Sequence, residues 1–135
     1  MPVVGYSGTP LPAKLGIKEG TTLALLKAPD GLLADLPSGV VVKRHARGSA
    51  DVVVAFFTRR TEFERRLGSL GTMIFPAGGL WIAWPKLSSG VETDMTAEVV
   101  REAALPLGLV DNKVCAIDEM WTGLRVVWRV ERRTE

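Results

Sequence analysis

The chain predicts an α/β fold: a three-layer sandwich on a mostly parallel sheet that ends in an antiparallel hairpin. Three observations predict it. Short apolar runs bounded by Gly and Pro recur along the chain, as suits strands covered on both faces. Between several of them lie segments with apolar residues at helical spacing. The last two runs are joined too closely for a crossover helix, so they pair as a hairpin.

Tyr6-Ser7-Gly8-Thr9-Pro10-Leu11-Pro12 is rich in turn-formers and reads as part of an extended amino-terminal arm covering about residues 1–13. Ala13 to Leu15 has the makings of a helical turn. The first strand is Thr22 to Leu26, between Gly20 and Pro29. Asp30, just before Gly31 to Leu36, is an N-cap signal for a short helix that Pro37-Ser38-Gly39 ends. Val40 to Arg44 is a second strand, rich in β-branched residues. Asp51 to Phe57 is a third. The gap between these two is too short for a crossover helix, so they are antiparallel or not neighbours.

Thr58 is placed to cap the next helix, from about Arg59 to Leu70. Its Phe63, Leu67 and Leu70 form one apolar stripe, and Gly68 and Gly71 weaken its end. Met73 to Gly79 is expected as a loop. Leu80 to Trp84 is the fourth strand, which stops at Pro85 and delivers Lys86 at its carboxyl end. Trp81 and Trp84, three apart, face opposite ways in a regular strand. After a polar connection, Asp94 and Thr96 are single-cap candidates for a helix whose apolar side is Val99, Val100, Ala103 and Ala104. Pro106 and Gly108 stop it. Lys113 to Ile117, a loop at Asp118 to Met120, and a strand within Gly123 to Val130 close the chain. Residues 1–135 are expected to form a single domain, with no internal repeat and no second core.

Composition bounds the function. With 47% hydrophobic and 24% charged residues and a formal net charge of +2, this is ordinary globular protein. The basic residues Arg59, Arg60, Arg65 and Arg66 are interleaved with Glu62 and Glu64, as on a solvated helix face. A nucleic-acid surface needs a wider basic stripe with stacking aromatics, so nucleic acid is not expected as a partner. The lone Cys115 excludes an internal disulfide framework and reads as a small buried hydrophobe. His45 is the only histidine, without zinc-ligand spacing, so no metal is expected. The amino terminus shows no basic segment followed by an apolar run, so no signal peptide is expected; no apolar run approaches the ~20 residues that span a bilayer, which makes a reducing cytoplasm the expected compartment.

Two groups of residues are candidates for function. The strand ends deliver Lys27 and Asp30, Thr58 and Arg59, and Lys86, which a doubly wound sheet brings to one edge. Cations beside helix amino termini there make a pocket for a small phosphate- or carboxylate-bearing ligand. The second group is Asp118, Glu119, Trp121 and Arg125. The carboxylates have the chemistry for acid–base work. Trp121 and Arg125 are the residue types that anchor interfaces, and with Tyr6 in the arm they point to homo-oligomerisation.

Asp51 leading a strand, the following helix, and Pro76 with Gly78-Gly79 before the next strand resemble the carboxyl-terminal half of a Rossmann-like methyltransferase domain. That resemblance implies a Rossmann-like sheet. The cofactor motif departs from it. A glycine-rich turn should follow the first strand, where Lys27-Ala28-Pro29-Asp30-Gly31 stands. An acid should end the second, where Lys43-Arg44-His45 stands. A second likeness covers nearly the whole chain. Gly5-Tyr6-Ser7-Gly8-Thr9-Pro10-Leu11, Lys14-Leu15-Gly16-Ile17, Ala28-Pro29-Asp30-Gly31, Trp84-Pro85-Lys86 and Trp121-Thr122-Gly123-Leu124-Arg125 resemble the bacterial family called domain of unknown function 3052. It implies a bacterial, cytoplasmic protein and no mechanism.

The sequence therefore leads to a small binding or regulatory module with an anionic ligand at the strand edge. A homo-oligomeric interaction module is the second reading, and a transferase with a degenerate cofactor site the third. No cofactor is named by any residue pattern.

Overall fold

The computed structural model describes residues 9–33 and 35–134. Along the chain come α1 (Leu11–Lys14), β1 (Thr22–Leu26), β2 (Val41–Lys43), β3 (Val52–Phe56), α2 (Arg60–Ile74), β4 (Gly79–Pro85), α3 (Ala97–Ala104), β5 (Leu109–Ala116) and β6 (Trp121–Trp128). Short 3-10 turns occupy Leu87–Ser89, Leu105–Leu107 and Val130–Arg132. The strands form one six-stranded sheet in the order β2-β1-β3-β4-β6-β5. β2, β1, β3 and β4 are parallel, and β6 runs antiparallel to both β4 and β5. This is the expected mixed sheet with its terminal hairpin. β2 and β3 are not neighbours, because β1 lies between them.

The apolar runs are buried on both faces, which explains their lack of polar–apolar alternation. On one face α2 and α3 pack Phe63, Leu67, Leu70, Val100 and Ala104 against Ala24, Val53, Ala55, Leu80, Ile82, Leu124 and Val126. The other face is covered more thinly. Leu15 and Ile17, with parts of Leu11, Leu32, Leu33 and Leu36, lie over Leu23, Val54, Phe56, Trp81 and Ala83. Trp81 is fully buried, and its indole Nε1–H donates to the Leu15 carbonyl at 3.0 Å. Trp84 packs at the margin of the opposite core, as the spacing requires.

Local expectations were displaced where packing decided otherwise. The described residues after Asp30 form turns and no helix. Thr9-Pro10 is followed at once by α1, so the arm becomes helical at Leu11, two residues before the expected turn. α2 runs on to Ile74 through Gly68 and Gly71. Gly71 is packed under Trp128, whose indole N–H donates to the Gly71 carbonyl at 2.8 Å, and a Cβ there would lie 3.2 Å from the ring. The helix stops where Phe75 meets Pro76, since the residue before proline avoids the helical region. β5 begins at Leu109, four residues earlier than its apolar run.

Candidate functional site

Strand order reverses at β1, with β2 on one side and β3 on the other. In open α/β sheets the crevice beyond the carboxyl ends at such a point is where ligands bind. Lys27, Asp30, Thr58 and Arg59 lie in the segments that follow the carboxyl ends of β1 and β3. Lys27 follows β1 with φ 60°, the one non-glycine residue in the left-handed region among those described. Its ammonium is ion-paired with Glu62 in the first turn of α2, across the crevice. Asp30 is exposed. Arg59, also exposed, occupies the N-cap position of α2 without a side-chain cap bond.

The cap comes from elsewhere. Asp94 Oδ1 accepts from the Arg60 amide at 2.7 Å, and Thr93 Oγ1 donates to the Thr58 carbonyl at 2.6 Å. The loop before α3 is thereby tied to the start of α2. Thr96, the other cap candidate, accepts from Val99 N at 3.1 Å and caps α3. Thr58 was expected to cap α2 with its side chain; instead only its backbone carbonyl takes part. The correction has a simple cause: the carboxylate of Asp94 reaches the open amide in three dimensions.

A cavity of about 370 Å³ lies at this junction, lined by Thr58, Arg59, Glu92, Thr93 and Asp94. It brings Thr58 and Arg59 together. Lys27, Asp30 and Lys86 are not on its wall. Lys86 is held at the end of β4 by its amide, which donates to the Met120 carbonyl at 2.8 Å. Sequence reasoning missed Glu92 and Thr93 as site residues and gave Asp94 to the wrong helix. The one signal was the polar character of the stretch before α3. The cavity wall holds one cation and two carboxylates, so its charge is mixed.

The second group separates. Asp118 Oδ1 accepts from Met120 N and Trp121 N, both at 2.8 Å, which makes it a turn-forming residue in the hairpin loop. Glu119 is exposed beside it, so the two carboxylates do not form an acid–base pair in a cleft. Trp121 is partly buried, edge-on to Phe56 with ring centroids 5.0 Å apart. Arg125 lies in mid-strand on β6. Tyr6 lies outside the described residues. Cys115 is buried, and burial pushes its thiol upward. His45 is exposed, its Nδ1 accepting from the Arg47 amide at 3.3 Å. Among the described residues no three His, Cys, Asp or Glu side chains come close enough to hold a metal ion. No helix among them is long and apolar enough to cross a membrane.

The fold is similar to that of several solved structures. The ribosomal protein L11 methylase of Lactobacillus delbrueckii is 12% identical, with a TM-score of 0.59 over 88% of this chain and 75% of that one. The fold is the Rossmann-like α/β fold that this methylase also has. Magnesium protoporphyrin IX methyltransferase of Synechocystis, solved with bound SAM, is 9% identical, with a TM-score of 0.55 over 88% and 74% of the two chains. Fibrillarin of Methanococcus jannaschii, a pre-rRNA processing protein, is 15% identical, with a TM-score of 0.55 over 83% and 68%. No family model matches the sequence. No curated protein matches it. The resemblance to domain of unknown function 3052 rests on the sequence motifs alone.

The methyltransferase frame implies S-adenosylmethionine, and the residues here do not fit it in the family's way. β1 is followed by Lys27, held by Glu62, where a glycine-rich turn should pass the cofactor. β2 ends at Lys43, whose ammonium donates to the carbonyls of Ser49 at 2.8 Å and Arg47 at 3.3 Å. A tethered cation thus stands where the pattern calls for an acid, and the described residues between 27 and 40 form no helix beside it.

Proposed function

We propose that this chain is a small-ligand-binding module on a methyltransferase frame, with its site at the α2–α3 junction. The observation that carries the reading is the 370 Å³ cavity at the carboxyl edge of the sheet, walled by Arg59, Glu92 and Asp94. Its mixed charge refines the ligand expected from sequence. Asp94 already satisfies the first amide of α2, so a plain anion meets Arg59 and two carboxylates. A ligand carrying both a cationic and an anionic group suits this wall, Arg59 taking the anionic end and Glu92 the cationic one.

The second reading is a transferase whose cofactor contacts differ from the family pattern. The methyltransferase neighbours support it better than they support a plain anion-binding module. The departures at Lys27 and Lys43 weigh against it. The third reading is a homo-oligomeric module using Trp121 and Arg125.

Thermal unfolding against S-adenosylmethionine, S-adenosylhomocysteine, free amino acids, nucleotides, sugar phosphates and coenzyme A separates these. A ligand at 100-fold its Kd adds about 2.7 kcal/mol. At roughly 2.1 cal/mol/K of unfolding entropy per residue, this corresponds to a rise of about 9 °C. A shift that Arg59→Ala abolishes supports the module, and names a transferase if S-adenosylmethionine produces it. No shift with any compound, together with self-association in sedimentation, turns the assignment to the oligomer.

A further inference from the structure

A different part of the molecule brings several basic side chains onto one face of the sheet. Arg125 pairs across the sheet with Trp81 on β4 and with Lys113 on β5, so all three project on the thinly covered face. The Arg125 guanidinium lies directly over Gly79: a Cβ built there would fall 2.4 Å from Nε and 2.7 Å from Cζ. Gly79 opens β4, which puts this group at the amino-terminal edge of the parallel strands, the edge opposite the α2–α3 cavity. On the same face an open cleft of about 520 Å³ runs between α1 and β5. Its floor is Trp81 and Cys115, and Lys14 and Lys113 stand on its walls.

Among the described residues this region gathers cations and no carboxylate paired with them. Lys113 and Arg125 are like charges at directly opposed positions, an arrangement that destabilises a sheet. Arg133 lies close enough to Arg125 that it and burial both disfavour the Arg125 charge. The charged groups acting on Cys115 are Lys14 and Lys113, again both cations. Among the described residues, none of Lys14, Lys113, Arg125 and Arg133 forms an ion pair. Asp111, the nearest acid along β5, is bonded to Arg101 at 3.1 Å.

We propose that Lys14, Lys113 and Arg125 form a binding site for a phosphate group on a small molecule. Arginine offers a fork of N–H donors to phosphate oxygens, and the lysines add point charges on either side. The apolar floor leaves room for the uncharged part of the ligand. A bound phosphate also removes the repulsion between Lys113 and Arg125, which gives the empty site a standing drive to fill.

The test uses pyrophosphate as probe, with sodium chloride at matched ionic strength as reference. Pyrophosphate is expected to raise Tm by ~5 °C or more beyond the chloride reference. Citrate at the same charge tells a phosphate site from a general oxyanion site, and an equal citrate shift overturns the phosphate assignment. Arg125→Gln should lose the shift. Lys113→Glu should raise Tm without any anion, by pairing with Arg125, and should also lose the pyrophosphate shift; it keeps the test decisive if Arg125→Gln folds poorly. No shift beyond chloride overturns the proposal. So does a shift that survives in Lys113→Glu but disappears in Lys86→Ala, which would place the anion at the carboxyl edge.

Discussion

Gly78 is the position where backbone packing leaves least room. Its amide donates to the Ile74 carbonyl at 2.8 Å, closing the end of α2, while the next amide, Gly79 N, donates to Asp51 O at 3.0 Å. A Cβ at Gly78 would lie 2.8 Å from the Asp51 carbonyl oxygen and 3.0 Å from those of Ala50 and Ile74. All three obstacles are backbone, fixed by β3 and by the last turn of α2, so no rotamer change relieves them. Gly78→Ala is therefore overpacking of the rigid kind, and we expect a loss of about 3 kcal/mol, at the upper end of the usual range. With an unfolding entropy of roughly 2.1 cal/mol/K per residue, Tm falls by about 10 °C. Gly68→Ala is the matched control. It is exposed within α2, a Cβ there meets nothing within 4 Å, and the helix gains roughly 0.5–1 kcal/mol. Urea and thermal unfolding of both variants measure the contrast. A Gly78→Ala protein within ~0.5 kcal/mol of wild type would refute the argument, because it would mean the α2–β4 turn yields easily.

Trp81→Phe removes the only indole donor to the buried Leu15 carbonyl and leaves a void on the thinly covered face, so about 2–4 kcal/mol should be lost in urea unfolding. Asp94→Ala should lose about 1 kcal/mol by uncapping α2, and Asp94→Asn, which keeps an acceptor, clearly less; equal losses would deny the cap. Cys115 gives a pH dependence. Burial raises its folded pKa above the ordinary 9.0, so the neutral thiol's contribution is complete below pH 9.0 and is lost as pH rises through the folded value. Tm of wild type should therefore fall relative to Cys115→Ala between pH 9 and 11, and parallel curves would contradict the burial. Iodoacetamide should label the folded thiol slowly at pH 8, with urea restoring the rate.

The elements most legible in the sequence were those whose pattern is local and strong. Val52–Phe56 and Gly79–Pro85 are apolar runs with clear bounds, and the stripe Phe63, Leu67, Leu70 marks one side of α2. Alternation and spacing fix which residues must be inside, since water rejects them whatever the topology. The Asp51, Pro76, Gly78-Gly79 pattern was legible too, because a backbone crossing that tight admits only glycine. Tertiary structure decided the rest. It put β1 between β2 and β3, a choice that strand lengths cannot make. It carried α2 through Gly71, because Trp128, 57 residues away, packs there. It gave Asp94 to the start of α2 across 34 residues, and so built the cavity wall from two separate segments. It set Lys113 opposite Arg125 across two strands. A sequence orders contacts along one line, whereas a cap, a cavity or an uncompensated charge is a relation between groups that only folding brings within reach.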